Sequence, residues 1–133
     1  MDLGVMWTWR FPNFTRDEFA CKCGCGFDDI DPLLVTTLQR LRDEVQRPVI
    51  VNSGCRCKSH NAAVKGSKSS QHLRGKAADI KIDGMTAQEI FDVLRRLYLD
   101  GEIYVGYVYA INGASVHVDV RAPQSQTVRR WKR

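Results

Sequence analysis

The stretch IYVGYVYAINGASVHVDV, residues 103–120, is the clearest structural signal in the sequence. Two runs rich in β-branched and aromatic residues, 103–111 and 114–120, flank the dipeptide Asn112-Gly113. This dipeptide between two such runs is the strongest short-range signal for a β-hairpin. The stretch therefore predicts two antiparallel strands joined by a tight turn.

Strand alternation assigns two faces to the second strand of this hairpin. One face carries His117, Asp119 and Arg121, and the other carries Val116, Val118 and Val120. We expect the valine face to pack on helices, which leaves the His117 face toward a cleft. A two-residue turn predicts these opposite pairs: Ile111 with Ala114, Val108 with His117, and Gly106 with Asp119. In that register, the small residues Gly106 and Ala110 would leave room beside His117.

The sequence before the hairpin alternates helical and strand signals. Asp31 and Pro32 are typical of a helix start, and Leu34, Leu38, Leu41 and Val45 then follow at helical spacing. Thr86 and Glu89 form a capping box before a second apolar helix face. Residues 49–52 and 77–82 read as strands, and one helical turn is predicted near 61–64. The fold class predicted is α+β, with a small, mainly antiparallel sheet and helices packed on it.

Length and composition fit one compact domain. We expect a single domain over residues 1–133, with residues 1–13 forming an N-terminal arm packed on it. No apolar run approaches the roughly 20 residues of a membrane span. The N-terminus lacks a basic segment followed by an apolar one, so we expect synthesis in the cytoplasm without a signal peptide.

The net charge of +5 is compatible with an anionic partner, either nucleic acid or a bacterial wall. The charges are spread out, except for Arg129, Arg130, Lys132 and Arg133 near the C-terminus. Because no nucleic-acid recognition motif accompanies them, we expect no specific nucleic-acid partner. We also expect a monomer.

The stretch SQHLRGKAADI, residues 70–80, contains candidate metal ligands. His72 lies on a predicted loop and Asp79 at the start of a predicted strand, while His117 lies on the hairpin. Two imidazoles and one carboxylate form a common three-ligand shell for catalytic zinc, with water in the fourth position. Zinc would lower the pKa of that water and polarise a substrate carbonyl.

These residues carry a resemblance to the zinc D-alanyl-D-alanine carboxypeptidase and peptidoglycan endolysin family, which has the hedgehog/DD-peptidase fold. The family motif Ser-x-His-x-x-Gly-x-Ala-x-Asp is filled by Ser70, His72, Gly75, Ala77 and Asp79. The segment Ser53-Gly54-Cys55-Arg56, followed by His60-Asn61, is similar to the family's Ser-Gly-Tyr-Arg…Asn segment. His117-Val118-Asp119-Val120 resembles its second histidine motif. Residues 14–26 resemble its small phage and bacterial branch.

The resemblance implies a zinc-dependent peptidase of either carboxypeptidase or endopeptidase type. It would cleave peptide bonds in bacterial peptidoglycan, which suits a phage enzyme or a bacterial protein delivered to the wall. His72, Asp79 and His117 would bind one catalytic Zn²⁺. Arg56 would hold a substrate carbonyl or carboxylate, because its guanidinium is planar and always charged. Ser70 would donate a hydrogen bond to substrate, or would only cap the loop.

One position departs from the family pattern. Family enzymes usually place Glu or Asp three residues before the second histidine as general base, and here that residue is Ala114. Asp119 could replace the base, or could instead orient a ligand histidine. Another acid such as Glu102 could reach the site. Alternatively, the chain is a catalytically impaired zinc module that binds the wall or a partner, a possibility supported by the related hedgehog signalling domains.

Five cysteines leave three structural alternatives open. Cys21, Cys23 and Cys25 are too close in sequence to bridge one another comfortably, while Cys55 and Cys57 flank Arg56. Disulfides could join the two groups. A second, structural zinc could use four thiolates, although one intervening residue is tighter than the usual two to four. The third alternative is reduced, buried thiols.

Overall fold

The computed structural model describes residues 9–122 and 131–132. The helices are α1 (Pro32–Val45), α2 (Lys58–Ala63) and α3 (Ala87–Leu99), and 3-10 turns span Arg16–Phe19 and Gln71–Arg74. The strands are β1 (Ile50–Ser53), β2 (Ala77–Lys81), β3 (Tyr107–Ala110), β4 (Ser115–Asp119) and β5 (Trp131–Lys132). The predicted α+β class is confirmed. Among the described residues, no helix is both long and apolar enough to cross a membrane.

The strands form one sheet in the order β1-β2-β4-β3-β5. The first three neighbouring pairs are antiparallel, as predicted, whereas β5 runs parallel to β3. The sequence did not predict β5, because two residues are too few to show an alternating pattern. Trp131 packs against Phe91 and Tyr98, with ring centroids 5.4 and 5.7 Å apart.

The two long helices begin as their sequences predict. The Asp31 side chain accepts from the Leu33 amide at 2.9 Å, with Pro32 in the first turn of α1. Thr86 and Glu89 form the complete capping box of α3. Both helices bury their apolar faces in one core with the valine face of β4, which includes Leu38, Leu94 and Val118. This packing leaves the opposite face of β4 available for polar side chains.

The hairpin has a three-residue loop, so the predicted two-residue turn is wrong. The Ile111 amide donates to the Ser115 carbonyl at 2.8 Å, which leaves residues 112–114 in the loop. The Asn112 side chain accepts from the amides of Ala114 and Ser115, both at 2.8 Å, and this accommodates the additional residue. The observed pairs are Tyr107 with Asp119, Val108 with Val118, and Tyr109 with His117.

In the corrected register, Gly106 and Ala110 are not the small neighbours that were expected to leave room beside His117. Tyr109, rather than Val108, lies opposite His117, and Gly106 lies against the backbone of Arg121 with no room for a side chain. The Gly106 amide donates to the Asp119 carbonyl at 2.7 Å. The small residue therefore permits a close backbone approach instead of forming part of the cleft.

Two other expectations are modified. Helix α2 begins at Lys58, about three residues before the predicted turn, because the Cys57 side chain caps it by accepting from the His60 amide at 3.4 Å. Trp9 and Phe11 pack against the core, and residues 1–8 of the predicted arm lie outside the described part of the chain. Of the basic C-terminal group, Lys132 lies in β5, whereas Arg129, Arg130 and Arg133 lie outside the described residues.

Candidate metal centre

Three side chains converge where β2, β4 and the second 3-10 turn meet. Asp79 and His117 are directly paired across β2 and β4. His72 belongs to the turn Gln71–Arg74, which ends at Gly75 with φ of 67°. Asp79 Oδ1 lies 3.1 Å from His72 Nε2 and 3.1 Å from His117 Nδ1. The three potential ligand atoms all lie within 4.8 Å of one another.

Hydrogen bonds on the far side of each ring fix which nitrogen faces this point. His72 Nδ1 lies 2.7 Å from the Gly54 carbonyl, which can only accept, so Nδ1 carries the hydrogen. His117 Nε2 lies 2.8 Å from Asp119 Oδ2, so it donates to that carboxylate. In the neutral rings, lone pairs therefore point from His72 Nε2 and His117 Nδ1 toward Asp79. Three lone pairs directed at one point require protons or a cation between them, and this donor set fits zinc.

The charges around this point are strongly coupled. Burial raises the pKa of Asp79, but the His117 and His72 rings, which donate to it when they are protonated, outweigh burial and hold this pKa well below its usual range in the metal-free protein. Burial lowers the pKa of His117, but Asp119 and Asp79 outweigh it and raise that pKa above its ordinary value. The carboxylate is thus ionised at neutral pH, as a metal ligand must be.

Asp119 lies behind His117, on the ring nitrogen that faces away from Asp79. It is fully buried, and Arg121 Nη2 donates to its Oδ2 at 2.6 Å. Burial raises its pKa, but the bonds from His117 and Arg121 lower it overall. Of the two alternatives from the sequence, this geometry fits an orienting carboxylate better than a base.

Arg56 extends from the segment after β1 into the same group. Its Nη2 lies 3.1 Å from Asp79 Oδ2, its Nε donates to Ser53 Oγ at 3.1 Å, and its Nη1 donates to Asn61 Oδ1 at 3.3 Å. These bonds occupy three of the five guanidinium N–H groups. The remaining two are available to a ligand.

Ser70 caps the turn that holds His72. Its Oγ accepts from the His72 amide at 3.2 Å, and its side chain also lines the cleft beside the candidate ligands. The loop-capping role considered from the sequence is therefore present in the structure. Because Oγ accepts in that bond, its own hydrogen can still be donated.

The candidate ligands form the wall of a cleft of about 460 Å³. Tyr109 stacks on the His117 ring, with centroids 4.6 Å apart and an interplanar angle of 13°. The Arg121 guanidinium lies over the Tyr107 ring, 5.0 Å from its centroid. Sequence reasoning missed both tyrosines because it used the wrong hairpin register. A larger groove of about 650 Å³, lined by Asn13 and Arg42 among others, shares no lining residue with this cleft.

The cleft is predominantly basic. Arg56, Lys65 and Arg121 line it, and among its described lining residues Asp79 is the only acid. Burial, followed by the charge of Asp79, raises the pKa of Tyr109, so this hydroxyl remains protonated at neutral pH. These features suit a ligand that carries carboxylates or carbonyl oxygens.

Neither position 114 nor Glu102 supplies a second acid to the cleft. Ala114 is exposed in the hairpin loop and does not line the cleft. Glu102 instead pairs with Arg40 of α1, with Oε1 2.8 Å from Nη2, so the expectation that it could reach the site is wrong. A base separate from Asp79 and Asp119 is therefore not found among the described residues that line the cleft.

The five cysteines divide into a group of four and one separate residue. Cys21, Cys23, Cys25 and Cys57 lie close together, whereas Cys55 is buried elsewhere in the core. All five are free thiols, and Cys23 and Cys25 are exposed. The alternative in which all the thiols are buried is therefore wrong.

Comparison with known proteins agrees with this geometry. The sequence model for the family described as Peptidase M15 matches residues 12–119, which include all three candidate ligands. M15 peptidases are zinc-dependent, and the convergence of His72, Asp79 and His117 provides a possible site for that ion. No curated protein gives a significant match to the sequence. Because the family match spans most of the 133 residues, the chain belongs to the peptidase M15 family.

Proposed function

We propose that this protein is a zinc-dependent peptidase that hydrolyses peptide bonds in bacterial peptidoglycan. The observation that supports it most is the convergence of two oriented histidine nitrogens and the Asp79 carboxylate on the cleft wall. Zinc bound there would polarise a peptide carbonyl and lower the pKa of a water molecule. The bacterial wall is the proposed place of action.

The remaining cleft residues would bind and orient the peptide. The two remaining N–H groups of Arg56 would donate to a substrate carbonyl or carboxylate, because three others already fix the guanidinium. Ser70 and Tyr109 would donate hydrogen bonds from the surrounding wall. The basic cleft suits peptidoglycan stem peptides, which carry carboxylates.

Asp119 would act as a positioning residue. It keeps the His117 ring oriented with Nδ1 toward the ion and makes that nitrogen a better ligand. Its burial and its bond to the opposite ring nitrogen argue against direct proton transfer from a water beside Asp79.

The experiment is mass spectrometry of purified muropeptides after incubation with the zinc-loaded protein, with a chelated sample in parallel. We expect new fragments only with zinc, and their masses will identify the bond and distinguish end trimming from internal cleavage. Asp79→Asn should abolish both the fragments and zinc binding at this site. Asp43→Asn, on the exposed side of α1, is the matched control. Equal digestion by Asp79→Asn and the unmodified protein would refute the proposal.

A second candidate function is a zinc-bearing module that binds the wall or a partner without hydrolysis. The observation in its favour is that, among the described lining residues, Asp79 is the only acid in the cleft. It predicts stoichiometric zinc and cosedimentation with purified cell walls, without fragments from any wall chemistry. Fragments that depend on zinc would exclude it.

A further inference from the structure

Four cysteine sulfurs form a compact group away from the cleft. The Sγ atoms of Cys21, Cys23, Cys25 and Cys57 all lie within 4.8 Å of one another. Cys23 Sγ is 3.4 Å from Cys21 Sγ and 3.6 Å from Cys57 Sγ. None of the four lines the cleft that contains the candidate ligands.

The local fold brings these residues together from two segments. Cys21, Cys23 and Cys25 alternate along a loop that turns at Gly24 and Gly26, whose φ angles are 81° and 91°. Glycine adopts this left-handed backbone without strain. The loop is held by the Cys21 amide, which donates to the Phe27 carbonyl at 2.8 Å.

The fourth cysteine is supplied by the segment that precedes α2. Cys57 is the N-cap of that helix, and the Cys55 amide donates to the Phe19 carbonyl at 2.8 Å. This bond ties the two segments together beside the sulfurs. The group is therefore built by main-chain contacts from both sides, as a preformed site requires.

The spacing of the sulfurs matches a single tetrahedral ion. A Zn–S distance of about 2.3 Å places the thiolates of a tetrahedral site about 3.8 Å apart. An iron–sulfur cluster divides its four cysteines between two or more iron atoms, so the whole set of sulfurs is spread farther apart. Cys23 Sγ is near both Cys21 Sγ and Cys57 Sγ, so these contacts do not single out one disulfide pair.

Main-chain amides are also directed at the sulfurs. The Cys57 amide donates to Cys21 Sγ at 3.4 Å, and the His60 amide donates to Cys57 Sγ at 3.4 Å. Such donors stabilise negative charge on sulfur, as a metal thiolate requires. A soft, four-sulfur donor set has no open position for substrate, which is typical of a structural zinc site.

We propose that Cys21, Cys23, Cys25 and Cys57 bind one structural zinc ion, separate from any ion at His72, Asp79 and His117. The ion joins the loop at 21–25 to the segment that contains Arg56. Because the Arg56 amide donates to the His72 carbonyl at 3.0 Å, this link also supports the cleft wall. The proposal does not depend on peptidase activity, since its ligands lie outside the cleft and its tests measure bound metal instead of turnover.

The test is metal analysis of the full-length protein, purified under reducing conditions with zinc present. We expect two zinc ions per chain in the unmodified protein and one in Asp79→Ala, which loses the ion at the cleft. Cys25→Ser should also hold one zinc ion, because it removes an exposed ligand from the cysteine site and leaves the cleft site unchanged. Cys55→Ala is the matched control and should keep both, since Cys55 lies outside the group.

Cobalt substitution identifies the ligands directly. Co²⁺ bound by thiolates gives a strong near-ultraviolet charge-transfer band, which we expect in the unmodified protein and in Asp79→Ala. Loss of this band in Cys25→Ser, with unchanged circular dichroism, would assign it to the cysteine group. If the cysteine variants fail to fold, the cobalt spectrum of the Asp79→Ala protein still tests the proposal.

Two results would overturn the proposal. One is a single zinc ion per chain that disappears in Asp79→Ala. The other is cobalt-loaded Asp79→Ala without a charge-transfer band. Neither result bears on muropeptide cleavage, so failure of this proposal is distinguishable from failure of the proposed peptidase function.

Discussion

Replacing Asp119 by asparagine separates an orienting carboxylate from a catalytic base. The Asp119 carboxylate accepts from His117 Nε2 at 2.8 Å, and both residues are buried. An asparagine amide can donate to that nitrogen, which would move the ring hydrogen to Nδ1, the atom that faces Asp79. The ring would then lose its lone pair toward the metal.

The expected loss follows from that hydrogen bond. A bond to a charged group contributes about 1.5–3 kcal/mol, which corresponds to a roughly ten- to hundredfold weaker metal affinity. The assay is Co²⁺ titration, followed by the visible absorption of the histidine-bound ion, with Asp43→Asn as control. Unchanged metal affinity together with a rate loss of roughly two to four powers of ten would refute the orienting role and favour a base.

Three further changes test other parts of the structure. Arg56→Lys keeps the charge but cannot hold Ser53, Asn61 and Asp79 together, so kcat/KM on muropeptides should fall roughly tenfold or more while zinc content is retained. The raised pKa of His117 stabilises the metal-free protein. This stabilisation is fully present at pH values below the ordinary histidine pKa of 6.5, and it is lost as pH rises through the pKa of His117 in the folded protein. Zinc binding needs the neutral His117 ring. As pH rises, the thermal midpoint of the zinc-free protein should therefore fall relative to that of the zinc-loaded protein. Parallel pH profiles with and without zinc would contradict this. Leu38→Ala in the buried face of α1 should cost about 2–5 kcal/mol in urea unfolding, whereas exposed Leu99→Ala should cost less than about 0.5 kcal/mol.

The helix starts and the residues of the candidate metal site could be predicted from the sequence, because each depends largely on a local pattern. Asp31-Pro32 and the Thr86–Glu89 box act within one helical turn. The ligand spacing around His72 and Asp79 forms a compact motif, and the structure brings these residues together with His117. The faces of β4 followed from simple alternation.

The hairpin register required information beyond the Asn112-Gly113 dipeptide. The Asn112 side chain bonds two amides and lengthens the loop, an effect that turn preferences alone do not predict. A better signal was available in the valines. Pairing Val108 with Val118 keeps apolar residues on one face, whereas the predicted register placed Val108 beside His117.

The cysteine group was harder to predict because its fourth member is distant in sequence. Cys55 and Cys57 both flank Arg56, and spacing does not indicate which one faces the loop at 21–25. The structure separates them, since Cys57 caps α2 and Cys55 enters the core. Only the tertiary packing of these segments decides between the two residues.

The row formed by Asp79, His117 and Tyr109 crosses three neighbouring strands, and its two halves can change independently. The candidate ligands Asp79 and His117 lie on the β2–β4 pair, whereas the position of Tyr109 depends on the β3–β4 pair and on the loop at 112–114. A length change in that loop would replace tyrosine with a different neighbour of His117 without moving Asp79. Evolution or engineering could therefore alter peptide selectivity through this loop while the ion site stays intact.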